Sequence, residues 1–372
     1  MIPILQLNTQ YDQIQDELEA AVLSALRSTA YINGPEVEAF ENEFASWHGI
    51  SEAVGVGSGT EALHLAIRAL DLEPEEEVIS PAFTFIASAG AIALAGTRPA
   101  FCDIDPDTFN IDPADLEKRI TSKTRAIVVV HLFGHPAPMD EILEIARKHD
   151  LKVIEDCAQA TGAEYKGRKV GTMGDFGCFS FFPSKNLGGI GDGGMVLART
   201  PEGAEKIRML KSHGCKVRYY HDMLGTNSRL DTIQAAALRV KLKYLSHWND
   251  ERRRVAARYA ANLDGQLRLP LEAKDCRHVY HQFTVRVPDR DKCKQHLESQ
   301  GVGCMIYYPV SLHQQKAFAH LGYDDAEFPA TRGAQEEVLS LPMFPELSDE
   351  QVDEISKKVK SCLAGAQSPV SA

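Results

Sequence analysis

The sequence lacks the patterns that announce a metal centre, a disulfide framework or a membrane span. Its eight cysteines, at 102, 157, 178, 215, 276, 293, 304 and 362, include no C-x-x-C pair. In a chain of this length that argues against both a disulfide scaffold and a zinc site, and for reduced thiols in a cytoplasmic protein. The thirteen histidines form no H-E-x-x-H or similar cluster, so no metal is expected. The longest apolar stretch, from Phe83 to Ala95, is interrupted by Thr84, Ser88 and Gly90 and is too short to cross a bilayer. The opening Met1-Ile-Pro-Ile-Leu-Gln has no basic segment leading into an apolar run, as a signal peptide would. Positive charge is the scarcer sign. Forty Lys and Arg against 52 Asp and Glu give a net charge of −12, a poor surface for a polyanion, so neither a nucleic acid nor a membrane is an expected partner. A local basic pocket for one small anion stays compatible with that balance. Internal repeats and low-complexity tracts are also missing.

What is present is an ordinary soluble composition, 44% hydrophobic and 25% charged. The 372 residues are enough for two to three units with a sizeable core. Helical spacing of Ile14, Leu18, Ala21, Val22, Ala25 and Leu26 ends at Tyr31-Ile-Asn-Gly34-Pro35, and a second helix is expected from Glu36 to Trp47. The chain then alternates. Strands are expected at Ala53–Val56, Glu77–Ser80, Arg98–Asp103, Arg125–His131, Lys152–Asp156 and Phe176–Phe181. Helices are expected at Thr60–Leu70, Thr84–Ala95 and Met139–His149. Such alternation implies βαβ units and an α/β fold with a mostly parallel, helix-covered sheet, whose ligand sits at the carboxyl ends of the strands.

One long helix is expected after Ser228, continued or followed by a solvated helix at Glu251-Arg-Arg-Arg254. Beyond it come a strand at Tyr280–Val287, a helix at Asp291–Gln300, a strand at Met305–Pro309 and a terminal helix at Asp349–Leu363. The expected division is a large domain over 1–245, a smaller C-terminal α+β domain over 246–364, and a disordered polar tail over 365–372.

Four stretches carry chemistry. Gly55-Val-Gly57-Ser58-Gly59-Thr60-Glu61 reads as strand, glycine turn and helix start. Glycines there admit a ligand close to the backbone, and free amides at a helix start favour a phosphate; Ser58-x-x-Glu61 is equally a plain capping box. Val153-Ile-Glu155-Asp156 ends an apolar strand in two carboxylates. Asp156 there can serve as a helix cap, a metal ligand or the partner of a buried cationic heterocycle. In Cys178-Phe-Ser180-Phe-Phe-Pro-Ser-Lys185, a single lysine follows an aromatic strand and precedes five glycines in seven positions. A lysine in so apolar a setting has its charged form disfavoured and becomes a nucleophile. Gly225-Thr-Asn227-Ser228-Arg229-Leu-Asp231 opens the long helix, and Asn227 or Ser228 can simply cap it.

In this order and spacing the four stretches resemble the sugar-nucleotide aminotransferases of the DegT/StrS type, pyridoxal-phosphate (PLP) enzymes of the aspartate-aminotransferase fold group. The resemblance runs from about residue 3 to residue 360. It implies a PLP-dependent transferase type I fold and a set of roles. Lys185 would form the Schiff base with PLP and later carry the proton between substrate carbon and cofactor, and Asp156 would pair with the pyridinium nitrogen. Gln159 would contact the phenolic oxygen or the ring face, and Phe85 would stack on the ring. Gly59, Thr60 and Ser180 would hold the phosphate, with Asn227 reaching in from the second subunit of a homodimer with shared sites. Dehydratase relatives carry His at the lysine position, so Lys185 favours amino transfer.

The resemblance also implies L-glutamate as amino donor and a nucleotide-linked keto sugar as acceptor, for surface polysaccharide or related amino-sugar synthesis. Ser212-His213-Gly214, Arg218-Tyr-Tyr-His221 and Val279-Tyr-His281-Gln282 look most like members that aminate C3 of a UDP-linked 3-keto sugar or 2-acetamido-hexuronate. Arg229, Tyr307 and His313 would face the substrate. Tyr307 stands where uronate-using members carry His, and Arg229 can equally form an ion pair with Asp231 or a neighbour. The competing readings are a 4-keto-sugar aminotransferase and a PLP-binding regulatory protein without turnover.

Overall fold

A computed structural model describes residues 1–366. In chain order, α1 (Asn8–Ser28) and α2 (Pro35–His48) precede β1 (Glu52–Val56), α3 (Gly59–Arg68), β2 (Glu77–Pro81), α4 (Ile86–Leu94), β3 (Arg98–Cys102), α5 (Pro113–Arg119), β4 (Thr124–Val130), α6 (Met139–Lys148) and β5 (Lys152–Asp156). Next come β6 (Glu164–Tyr165), β7 (Arg168–Lys169), β8 (Phe176–Ser180), β9 (Gly194–Ala198), α7 (Pro201–Leu210), α8 (Thr232–Leu242) and α9 (Leu245–Leu263). The remainder is β10 (Cys276–Arg277), β11 (Phe283–Arg286), α10 (Arg290–Ser299), α11 (Pro329–Glu337), β12 (Val338–Leu341) and α12 (Asp349–Ala366).

Seven strands form the central sheet, in the order β1-β9-β8-β5-β4-β2-β3. β3, β2, β4, β5 and β8 pair in parallel, while β9 runs antiparallel to both β8 and β1. The α/β, mostly parallel sheet expected from the alternation is therefore present, with one reversed strand that the glycine run before it hides. β4 shows why the sheet lies inside. Ala126 to Val130 are all buried, and a near-continuous apolar run suits a strand covered on both faces. Each such valine or isoleucine contributes about 1.5–3 kcal/mol by leaving water. Helices cover both faces: α2 and α8 pack Phe40, Phe44, Ala235 and Leu238 on one, and α3 packs Leu65, Ala66 and Ile67 on the other.

Three expectations change. The single helix after Ser228 is two, α8 and α9, separated at Lys243 and Tyr244; apolar spacing continues through the break, so the pattern carries no stop. Met305–Pro309 is no strand, since Met305 alone bridges Ser340 and the tyrosines after it turn toward the central cavity. The expected tail at 365–372 begins helical, because α12 continues through Ala366; its other six residues lie outside those described. β11 and β12 pair antiparallel, and α9, α10 and α12 pack on them around Tyr259, Phe283, Leu297 and Ile355. No helix among the described residues is long and apolar enough to cross a membrane, and all eight cysteines are free.

Candidate active site

The carboxyl ends of five central strands meet at one cavity of about 440 Å³. β1 runs into Ser58, Gly59 and Thr60, β2 into Thr84 and Phe85, and β4, β5 and β8 end at Val130, Asp156 and Ser180, all in its wall. This is where a helix-covered parallel sheet places its ligand. Lys185 enters from the loop after β8, and Gln159, His281, Gln282, Tyr307 and Tyr308 complete the far side.

The helix start at α3 is built for an anion. Ser58 Oγ accepts from Glu61 N at 3.2 Å, while the first-turn amides lack carbonyl partners within the helix and lie at its positive end. Gly59 is required by closeness: a Cβ there would stand 2.5 Å from Ser180 Cβ and 3.1 Å from its Oγ. The glycine turn and the Ser180 hydroxyl thus form a tight cup of phosphate-binding type.

Asp156 is buried at the end of β5. Its Oδ2 accepts from Ser88 Oγ at 2.8 Å and its Oδ1 from Ala158 N at 3.1 Å. Burial pushes its carboxyl up despite these bonds and the nearby Lys185 cation. Lys185 is pushed the other way: burial brings its pKa down to about 8, with the Asp156 charge opposing the shift. Among the described residues it is the only lysine or arginine in the cavity wall.

Gln159 is immobilised at both ends, its Oε1 accepting from Phe133 N at 2.7 Å and its Nε2 donating to Tyr308 Oη at 3.0 Å. Phe85 is 54% exposed on the open side, with its ring 6.1 Å from that of Tyr308. Eight of the eleven residues expected at the site therefore line one cavity: Gly59, Thr60, Phe85, Asp156, Gln159, Ser180, Lys185 and Tyr307.

The other three stand elsewhere in this chain. Asn227 is exposed on the 212–230 segment, bridged to Ser212. Arg229 is half-buried, its Nε lacks a hydrogen-bond partner, and among the described residues it makes no ion pair with Asp231. His313 is buried, stacked on Phe328 at 4.4 Å with its Nε2 3.0 Å from Asp325 Oδ1, which holds it away from the cavity. Two residues that touch the expected ones escaped the sequence reading. Ser88 left a trace as a polar residue inside an apolar helix; Tyr308, 149 residues from its partner Gln159, left none.

A model of the DegT/DnrJ/EryC1/StrS aminotransferase family matches residues 12–360. A UDP-N-acetyl-3-dehydro-alpha-D-glucosamine 3-aminotransferase of Acidithiobacillus ferrooxidans is 46% identical over 98% of this chain and 98% of its own. A Geobacillus stearothermophilus protein named pleiotropic regulatory protein is also 46% identical, over 96% of this chain and 97% of its own. Among solved structures, S. venezuelae DesV in complex with a ketimine intermediate superposes with a TM-score of 0.95 at 42% identity, covering 97% of this chain and 98% of its own.

Proposed function

The chain belongs to the DegT/DnrJ/EryC1/StrS aminotransferase family, and from that premise we propose that it moves an amino group from L-glutamate to the C3 keto group of a UDP-linked sugar. It is an aminotransferase with PLP as its cofactor, acting on keto sugars carried by a nucleotide. The observation that carries the reading is the pairing of Lys185 and Asp156 across one cavity whose third wall is the α3 helix start. C3 and UDP are favoured by the name of the Acidithiobacillus relative. Turnover, as against regulation alone, is favoured by the solved DesV relative, which is described in complex with a ketimine intermediate.

The residues present fit PLP. Gly59, Thr60 and Ser180 would hold its phosphate, Asp156 its ring nitrogen, and Phe85 one face of its ring. When bound, PLP supplies the electron sink that makes a carbon–hydrogen bond acidic. With its pKa brought down to about 8 by burial, Lys185 Nζ would be available as a free amine, and in the second half of the cycle it would carry a proton to the sugar carbon. Asp156 would pair as a carboxylate with a cationic ring nitrogen, where low polarity strengthens the pairing. Gln159 and Tyr308 brace each other in the cavity wall through the 3.0 Å bond from Gln159 Nε2 to Tyr308 Oη.

Asn227 enters this scheme through a second copy of the chain. The segment that bears it also exposes Leu224 (85%), Tyr219 (77%) and Tyr220, apolar surface that pairing would cover. The test is the purified protein with PLP and L-glutamate. One equivalent of 2-oxoglutarate released per chain, followed by amination of UDP-2-acetamido-3-keto-glucose seen by mass spectrometry, is expected. Release without sugar amination would discard the C3-UDP acceptor, and no release would discard glutamate. Mixed Lys185→Ala and Asn227→Ala chains should recover activity if sites are shared.

A further inference from the structure

Ser88 is fully buried on α4, in a helix that also buries Ala89, Ala91 and Ile92. A hydroxyl in so apolar a helix needs a partner, and a helical serine often finds one at the carbonyl one turn back. Ser88 instead donates to Asp156 Oδ2 at 2.8 Å, across 68 residues of sequence, and its oxygen lies 3.4 Å from Thr84 Oγ1. An ionised carboxylate only accepts, so the Ser88 proton goes to Asp156 and the Ser88 oxygen is left to accept from Thr84. Thr84 itself lines the cavity. The hydroxyls therefore point one way, from the cavity wall through Ser88 to the carboxylate. Among the described residues no other side chain hydrogen-bonds Asp156.

The terminal torsion of an aspartate is broad, so a carboxylate held at one oxygen can still turn. Ala158 N holds Oδ1 at 3.1 Å from the loop after β5, and Ser88 holds Oδ2 from α4. Two donors on different oxygens, carried by two elements, fix the plane. Burial pushes the carboxyl up, and Ser88 is foremost among the groups that oppose it. We propose that Ser88 is a positioning residue, whose bond to Asp156 Oδ2 aims the remaining lone pairs of the carboxylate at a cationic ring nitrogen in the cavity. This rests on the reading of Asp156 as the ring-nitrogen partner.

The test titrates the full-length apo chain with PLP and with deazapyridoxal phosphate, in which a ring C–H replaces the nitrogen. Both aldehydes carry the same phosphate and can combine with Lys185, so the ratio of their dissociation constants isolates what the ring nitrogen gains. In wild type PLP should bind the more tightly. Ser88→Ala should cut that ratio about tenfold, the effect of losing a hydrogen bond to a charged group. Alanine suits a helix interior, so the variant keeps α4. The other titratable groups facing Asp156, which are Lys185, His131, Cys178 on β8 and Tyr308, stay in place. A role in packing alone would weaken both compounds alike, so an unchanged ratio in Ser88→Ala would overturn the proposal. Asp156→Asn tests the underlying reading separately. A ratio that falls there but not in Ser88→Ala rejects Ser88 alone, whereas a wild-type ratio in Asp156→Asn rejects the pairing of Asp156 with the ring, and the role of Ser88 with it.

Discussion

Glu155 and Asp156 are neighbours on β5 with the same chemistry, and the alternation of a strand sends them to opposite faces of the sheet. Behind the sheet Glu155 is saturated. Its Oε1 accepts from Met173 N and Gly174 N, each at 2.7 Å, and its Oε2 from Gly171 N at 2.7 Å and His131 Nε2 at 3.0 Å. His131 Nδ1 in turn accepts from Ala137 N at 3.0 Å, so its proton sits on Nε2 and donates to Glu155. Burial opposes charge on Glu155, but His131 and the glycine amides outweigh it and hold the carboxyl below its ordinary range. Asp156 has two donors, and burial wins, raising its carboxyl. A satisfied buried carboxylate builds structure, whereas an under-satisfied one facing a cavity awaits a cationic ligand. His131, Glu155 and Cys157 lie close enough to hold a metal ion, but the amides and the imidazole proton already occupy the first two.

The largest effect that sharpens this contrast is on the cavity side. Lys185→Ala should take amino transfer to background and abolish the borohydride-stable addition of PLP, with the melting temperature within a few degrees of wild type. Surviving transfer would remove Lys185 from its role. Behind the sheet, Glu155→Ala strands three backbone amides and a histidine in the interior and should cost about 3–5 kcal/mol of stability, measured by urea unfolding. A loss below about 1 kcal/mol would show that water replaces the carboxylate and the cluster is not structural. Asp156→Asn should reverse the pattern, with stability nearly unchanged and kcat for the glutamate half-reaction down about 10²–10³-fold. A large stability loss with normal kcat would make the two carboxylates alike after all.

The same contrast marks what the sequence discloses. The span of β5, Lys152–Asp156, is readable as written, because a buried parallel strand is a short apolar run with a polar end. The cavity wall is readable wherever a strand end is followed by glycines or a capping residue, as at Ser58–Thr60 and around Lys185. Glu155's role is not: its four partners lie 16 to 24 residues away, in loops without regular spacing. β9 is lost for a related reason, since Gly194 reads as the end of a glycine run. Yet a Cβ at that position would meet the Ser58 carbonyl at 2.4 Å, so the residue belongs to the packing of β9 against the phosphate cup. His313 shows the limit in the other direction, its local context giving no hint that within this chain Phe328 and Asp325 hold it outside the cavity wall.

The smallest and most discriminating effect is in the pH dependence of Lys185. With its pKa at about 8, the neutral, reactive fraction rises about fivefold from pH 7 to pH 8 and less than twofold from pH 8 to pH 9. The rate at which the apo chain captures free PLP, trapped with borohydride, should follow that curve, increasing with pH and levelling off above it. The Asp156 carboxylate stabilises the ammonium, so Asp156→Asn should move the curve to lower pH and speed capture at pH 7, even though the same change slows the catalytic cycle. Glu155→Gln, one residue away but on the other face, should leave the midpoint in place in whatever fraction of the protein stays folded. Equal shifts from both substitutions would mean that the sheet does not separate the two charges, and the division between a structural face and a reactive face would fail.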